Sequence, residues 1–237
     1  MPEQNSEPKS VGKVRIITSM LTTALKLWLR AQVSEVSELE VEIKASDRQI
    51  ISGRIPWASI FASHAIYQGL HIGQIQLVAE KIYVNIGSVL KGQSLRLLET
   101  VPVVGELIIA EKDLNNSLSS DLLSTALKDV LVKLLPEHSS KSKQVAWQEI
   151  ILDNNQIILR GILANEGASI PVEIYLSLKM LNGQELQLTH VQSRYDMVAL
   201  AEGSHSYNFD LGSEVYIQEL ILIPGKLVCR GRINVNP

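Results

Sequence analysis

Glu38-Leu39-Glu40-Val41-Glu42-Ile43-Lys44-Ala45 alternates charged and apolar residues without a break. A period of two puts Leu39, Val41, Ile43 and Ala45 on one side of an extended chain. Glu38, Glu40, Glu42 and Lys44 fall on the other. Such a strand has one buried and one solvated face, as antiparallel sheets use. The same period returns in Val172, Ile174, Leu176 and Leu178. Turn signals stand at Asn154-Asn155, Asn182-Gly183 and Pro224-Gly225, so residues 144–237 read as mostly β.

The first half reads as richer in helix. Residues 1–10 are polar and read as a flexible tail. Residues 11–31 read as a helix, because Val14, Ile17, Leu21, Leu25 and Trp28 recur at spacings of three and four. Lys9, Lys13, Arg15, Lys26 and Arg30 make this stretch basic, and the first acid after it is Glu35. Asp47-Arg48 reads as a turn and Ile50–Ile55 as a second strand. Pro56 then opens a short helix, Trp57–Gln68, apolar almost all round and closed by Gly69. Residues 70–87 hold one or two strands, and Gly105–Ala110 another. Asp113 reads as the N-cap of a long helix to about Leu135, striped by Leu114, Leu118, Leu122, Ala126, Val130 and Leu134 and stopped by Pro136. The whole reads as an α+β protein: one domain over 11–237, helix-rich over 11–136 and mostly β over 144–237.

One string echoes another. Ile157-Ile158-Leu159-Arg160-Gly161 resembles Leu227-Val228-Cys229-Arg230-Gly231, and Ile50-Ile51-Ser52-Gly53-Arg54 is a looser third copy. Each follows a turn, which fits a hairpin habit or two halves built alike.

Composition narrows the chemistry. Hydrophobic residues are 46% of the 237 and aromatics 5%, so the apolar content is mainly aliphatic. That suits first a well-filled core; the sharper reading is a cavity for acyl chains rather than flat aromatic ligands. A net charge of −3 gives no case for nucleic acid. Cys229 is the only cysteine, which excludes an intrachain disulfide and a cysteine metal cluster within one chain. The histidines His64, His71, His138, His190 and His205 are scattered, with no metal-ligand spacing on a helix face. There is no G-x-G-x-x-G, P-loop, H-E-x-x-H or G-x-S-x-G string. The expectation is therefore no cofactor, no metal and no catalysis. No secretory signal is read at the N-terminus, and Ile16–Leu25 is far shorter than the ~20 apolar residues of a membrane span. The expected location is cytoplasmic, with peripheral membrane contact.

Three features carry candidate sites. The basic N-terminal helix, with Lys13, Arg15, Lys26 and Arg30, fits an anionic bilayer surface. It fits equally a helix packed on the sheet with a solvated basic face. Trp57, Ile60, Phe61, Ile66 and Tyr67 suit a buried core helix or a groove wall. Asp113-Leu114-Asn115-Asn116-Ser117-Leu118 reads as capping, and an aspartate there would repel a phosphate.

A series of short strings resembles one family in order and spacing. Trp28-Leu29-Arg30-Ala31-Gln32 precedes the first strand, and Asp47-Arg48-Gln49-Ile50 leads to Gly53-Arg54-Ile55-Pro56. Ala65-Ile66-Tyr67-Gln68-Gly69-Leu70-His71, Val89-Leu90-Lys91-Gly92, Leu95-Arg96-Leu97-Leu98-Glu99 and Asp113-Leu114-Asn115 follow. Pro224-Gly225-Lys226-Leu227 and Arg230-Gly231-Arg232-Ile233 close the series. The chain resembles the LmeA-like phospholipid-binding family, nearest its cyanobacterial branch, most densely over residues 28–135. The resemblance implies a TULIP-like fold: a long, twisted antiparallel sheet curled around helices, with an apolar groove. It supplies no catalytic residues. It implies binding of a phospholipid or other acyl lipid; taken with the aliphatic amphipathicity, the expectation is binding or transfer at a membrane surface, with Leu21, Leu25, Trp28, Trp57, Ile60, Phe61, Tyr67, Leu118 and Leu122 as lipid contacts. At about 0.8 kcal/mol per buried methylene, a chain of about fifteen gains on the order of 12 kcal/mol before costs, so aliphatic contacts alone suffice. An adaptor that recruits a membrane-protein partner is the competing expectation, and an enzyme acting on a lipid the third.

Overall fold

The computed structural model describes residues 16–89, 93–134, 145–165, 168–195, 198–201 and 206–237. In chain order these form α1 (Ile16–Gln32), β1 (Glu38–Lys44), α2 (Asp47–Ile51), β2 (Arg54–Tyr67) and β3 (Leu70–Tyr83). Then come α3 (Ile86–Val89), β4 (Val101–Ala110), α4 (Glu111–Asn116) and α5 (Asp121–Leu134). The remainder is strand: β5 (Val145–Asp153), β6 (Gln156–Asn165), β7 (Ala168–Met180), β8 (Glu185–Tyr195), β9 (Val198–Ala201), β10 (Ser206–Asp210), β11 (Val215–Ile223) and β12 (Lys226–Val235). The protein is α+β and mostly antiparallel sheet. The described residues form two open sheets, ordered β1-β2-β3-β4-β12-β11 and β10-β8-β7-β6-β5, with β9 beside β8 in the second.

The alternation of Glu38–Ala45 is a strand, but the apolar run after Pro56 is not a helix. Trp57–Tyr67 belongs to β2, which pairs with β1 on one side and β3 on the other. A run apolar all round satisfies a strand with contacts on both faces as well as a buried helix, and period alone does not separate them. Ala58, Ile60 and Ala62 face one way here, Trp57, Ser59 and Phe61 the other. Gly69, read as a helix stop, is the second turn residue of a two-residue hairpin. Gln68 and Gly69 have φ of 49° and 77°, the left-handed pair of a type I′ turn. Asp47-Arg48, read as a turn, begins α2, whose N-cap Ser46 forms a capping box with Gln49. The long helix read from Asp113 is two helices. Asp113 sits inside α4 and accepts a hydrogen bond from the Ala110 N–H at 3.1 Å, while Ser120 caps α5 through the Leu123 N–H at 3.2 Å.

The sequence echo marks a structural repeat. Arg160 on β6 bonds Glu149 on β5 and Glu173 on β7; Arg230 on β12 bonds Glu219 on β11 and Glu106 on β4. Both outer hairpin strands carry a bulge beside the arginine pair, between Trp147 and Glu149 and between Ile217 and Glu219. A Cβ on Gly161 would lie 2.7 Å from the Ala146 carbonyl oxygen, and one on Gly231 2.5 Å from that of Tyr216. Each bulge brings backbone against the next strand, so both positions need glycine. The two hairpin tips then meet reciprocally: the Asn155 N–H donates to the Leu222 carbonyl at 3.2 Å, and the Gly225 N–H to the Leu152 carbonyl at 2.9 Å. Strand order continues the equivalence, β5-β6-β7-β8 in one sheet matching β11-β12-β4-β3 in the other. The third copy, Ile50–Arg54, has no part in it, since α2 ends there and β2 begins.

Short polar side chains tie helices to sheets. Asn115 of α4 accepts from the Ile150 N–H and donates to the Ile150 carbonyl, both at 2.8 Å, while Glu111 accepts from the Leu152 N–H at 2.8 Å. The outer edge of β5 is thereby paired at Ile150 and Leu152. The fully buried Ser117 hydroxyl accepts from the His71 N–H and donates to the Asp113 carbonyl. At the other end, the Thr18 N–H donates to the Asp47 carboxylate at 3.1 Å. Hydrogen bonds from the first turn of α1, that of the Thr18 N–H foremost, hold the Asp47 carboxyl below its ordinary range.

Two predictions follow from these ties. Asn115→Ala removes both bonds to Ile150 and should destabilise the protein by about 1–3 kcal/mol in urea unfolding. Asp47 has a lowered pKa in the folded state. Its contribution is complete above the unfolded value of ~3.9 and is lost as pH falls through the folded value. Asp47→Asn should remove that acid dependence and speed amide hydrogen exchange in residues 16–20 at neutral pH, leaving β6 and β7 protected.

Candidate functional site

Each sheet has an apolar face, and the repeat makes the two faces comparable residue by residue. In the second sheet, Ile170 lies opposite Leu163, Val172 opposite Gly161 and Ile174 opposite Leu159. In the first, Val103 lies opposite Ile233, Gly105 opposite Gly231 and Leu107 opposite Cys229. The second-sheet face is covered: Leu159, Leu163, Val172 and Ile174 are buried in one cluster with Leu127 of α5, and Leu118, Leu123 and Val130 pack against it.

The matching face of the first sheet carries a depression instead. Its volume is about 220 Å³. Ile75, Leu77, Val103, Leu107, Cys229 and Ile233 line it, Gly105 and Gly231 form its floor, and Leu211 and Ile217 wall one side. Among the described residues, no helix contributes to the lining. Three exchanges between the repeats open the space: Gly105 stands where the second sheet has Val172, Cys229 where it has Leu159, and Ile217 where it has Trp147. Gly105 also admits Leu77, whose Cδ2 would lie 2.7 Å from a Cβ at that position. Glu106, Tyr216 and Arg232 also border it, each engaged by a neighbour. Glu106 is held by Arg230 on the reverse face, and Arg232 lies over the Tyr216 ring at 6.0 Å. Burial pushes the Cys229 thiol above its ordinary pKa.

The residues singled out from sequence divide among several surfaces. Leu21 and Leu25 of α1 pack with Ile17 against Ile43 and Ala58, on the face that carries the depression. Ile60 is on that face too, opposite Leu77. Trp57 and Phe61 point the other way, where they line an open polar hollow with Lys26, Glu40 and Glu42; the Lys44 ammonium lies 3.9 Å from the Trp57 ring centre. Tyr67 is exposed beside the hairpin turn, Leu118 packs in the second-sheet cluster, and Leu122 is exposed on α5. Lys13 and Arg15 lie outside the described residues. Lys26 and Arg30 are exposed on α1.

The outward side of α1 is more apolar than its predicted stripe allows. Ile16, Met20, Leu27 and Trp28 are exposed, Met20 by 68%. At 3.6 residues per turn Ile16, Met20 and Leu27 fall within an arc of about 40°, flanked by Ser19, Thr23, Lys26 and Arg30 over the next ~80°. Trp28 shares the angle of Ile17 and Leu21 but is 59% exposed near the end of α1, and Leu29 is half-buried.

A second charged hollow lies on the outer face of the second sheet, lined by Arg160, Glu173, Tyr175 and Arg194. Its charges are already matched. Burial opposes the Glu173 carboxylate, yet hydrogen bonds from Arg160 and Tyr175 outweigh it and hold that carboxyl below its ordinary range. Among the described residues no group of histidine, cysteine and acidic side chains could hold a metal ion, and no helix is long and apolar enough to cross a membrane.

The depression was not legible as a motif, because its residues come from β3, β4, β11 and β12. The Arg-Gly echo was the usable signal: set side by side, its two copies exchange Ile157 for Leu227, Ile158 for Val228 and, with the largest loss of volume, Leu159 for Cys229.

No curated protein and no solved structure matches the chain significantly. The model of one family does match, over residues 12–232, and the chain accordingly belongs to the LmeA-like phospholipid-binding family.

Proposed function

We propose that the protein binds phospholipid through the apolar face of its first sheet, without catalysis, and exchanges it with a membrane surface. The observation that carries this reading is the unequal cover of two equivalent faces. A sheet with one apolar face must bury it. The second sheet does so with α5, whereas the first leaves an apolar space between β3, β4, β12 and β11. Membership of a phospholipid-binding family supplies the class of occupant. Leu21, Leu25 and Ile60 sit on the same face and extend the lipid path towards α1, as the groove of a TULIP-like fold would.

The exposed side of α1 suits the membrane. Exposed Met20, Leu27 and Trp28 would enter the headgroup region while Lys26 and Arg30 meet anionic lipid, with Lys13 and Arg15 adding to the basic charge. This contact belongs at the cytoplasmic face, with residues 11–237 acting as one lipid-binding unit. The same exposed stripe fits a membrane-protein partner, which is the adaptor reading. Lipid content separates the two, since an adaptor needs none.

Two measurements test the proposal. Organic extracts of natively purified protein should contain a selective lipid class near one equivalent by mass spectrometry, above a soluble control of similar size. A lipid-free protein would favour the adaptor. Gly105→Ala combined with Cys229→Leu moves the first-sheet face towards the second. This pair should weaken lipid binding about tenfold or more, by removing room for two or three methylenes. Thermal stability should fall only modestly, because the Leu77 Cδ2 that a Cβ at 105 would meet at 2.7 Å is the end of a flexible side chain. Unchanged lipid content in a folded double variant would place the lipid elsewhere.

A further inference from the structure

We infer that this site recognises a single acyl chain and not a headgroup, so that one-chain amphiphiles of any headgroup bind as ligands in their own right. The inference rests on the lipid reading above and narrows it to a chemical class.

Size is the first ground. The depression holds about 220 Å³, below the roughly 300–1,000 Å³ that encloses a whole drug-sized ligand. A methylene needs about the ~30 Å³ of a liquid water, so the space takes about seven of them. That is part of one acyl chain. Two chains and a glycerol phosphate would remain outside.

Chemistry is the second ground. Every headgroup of a phospholipid carries a phosphate, which a specific site meets with charge-assisted hydrogen bonds. The charged residues that border the depression, Glu106 and Arg232, are already engaged, and the rest of its lining is apolar or nearly so. Ile75, Leu77, Val103, Leu107 and Ile233 are aliphatic, and Cys229 contributes a thiol. Of the two charged residues, Glu106 is bonded by Arg230 and Arg232 lies over the Tyr216 ring. The other arginine clusters do not stand in for them: Arg160 and Arg194 are matched to carboxylates on the outer face of the second sheet. Affinity then comes from methylene burial alone, at roughly fourfold per methylene, until the space is filled.

Cys229 supplies the assay. It is the only cysteine in the chain and lines the depression, so its reaction with a thiol reagent reports occupancy. The full-length protein, stripped of lipid, is titrated with monomeric amphiphiles below their micelle thresholds. One set holds a fourteen-carbon chain fixed across lysophosphatidylcholine, lysophosphatidylethanolamine, lysophosphatidylglycerol and the free fatty acid. A second set holds phosphocholine fixed and varies the chain. The expected result is protection by all four headgroups at similar concentrations, and a rise of roughly fourfold per methylene that levels off after about seven. One headgroup favoured by roughly tenfold or more, the effect of a single charge-assisted bond, would overturn the inference while leaving lipid binding intact. Affinity independent of chain length would do the same. Protection by none of them would remove the lipid reading itself.

Discussion

Two backbone hydrogen bonds, Asn155 to Leu222 and Gly225 to Leu152, join the tips of the β5–β6 and β11–β12 hairpins. Through them the two sheets meet as copies of one design. Leu222 reaches from the first sheet into the buried cluster of the second, and Leu227 packs beside it. Everything that distinguishes one sheet from the other acts against this shared frame: which apolar face receives a helix, and which side chains shrink. Valine at 172 and leucine at 159 fill the covered face, where glycine at 105 and cysteine at 229 leave room. The functional reading follows from that asymmetry rather than from a catalytic constellation.

The arginine units explain why the frame persists on the solvent side. Each arginine spans three strands and meets a carboxylate on either neighbour. Exposed ion pairs of this kind contribute only about 0–1 kcal/mol each. Their larger effect is on register, because a slip of one residue would turn every apolar side chain of the strand to water. The glycine after each arginine has a steric cause, the bulged strand pressed against it. Sequence repetition, ion pairing and backbone approach thus describe one local unit used twice.

Much of this was legible in the chain, and the remainder was hidden for physical reasons. Strict alternation in Glu38–Lys44 and Val172–Leu178 identified half-buried strands, because period two has no helical counterpart. The Arg-Gly echo pointed to two like halves, although its third copy was coincidence. Trp57–Tyr67 was misread because apolar residues on both faces of a strand look the same as those around a buried helix. The division of α4 from α5 was missed because Leu114, Leu118 and Leu122 keep helical spacing across it, while Ser117 and Ser120 take up the backbone groups in between. Ser120 acts locally as a cap of α5, whereas Ser117 also takes a tertiary partner, the His71 N–H, which its sequence position does not announce. The candidate lipid face was hidden more deeply. It is a difference between two sheets, and no single segment contains it.

The most direct test of the account is to locate the acyl chain. The protein would be loaded with a fatty acid carrying a photoreactive diazirine near the middle of its chain, irradiated, digested and mapped by mass spectrometry. The account predicts adducts on the strand segments 75–77, 103–107, 215–217 and 229–233. Adducts concentrated at Trp57 and Phe61 on the reverse face, or on α5, would contradict it.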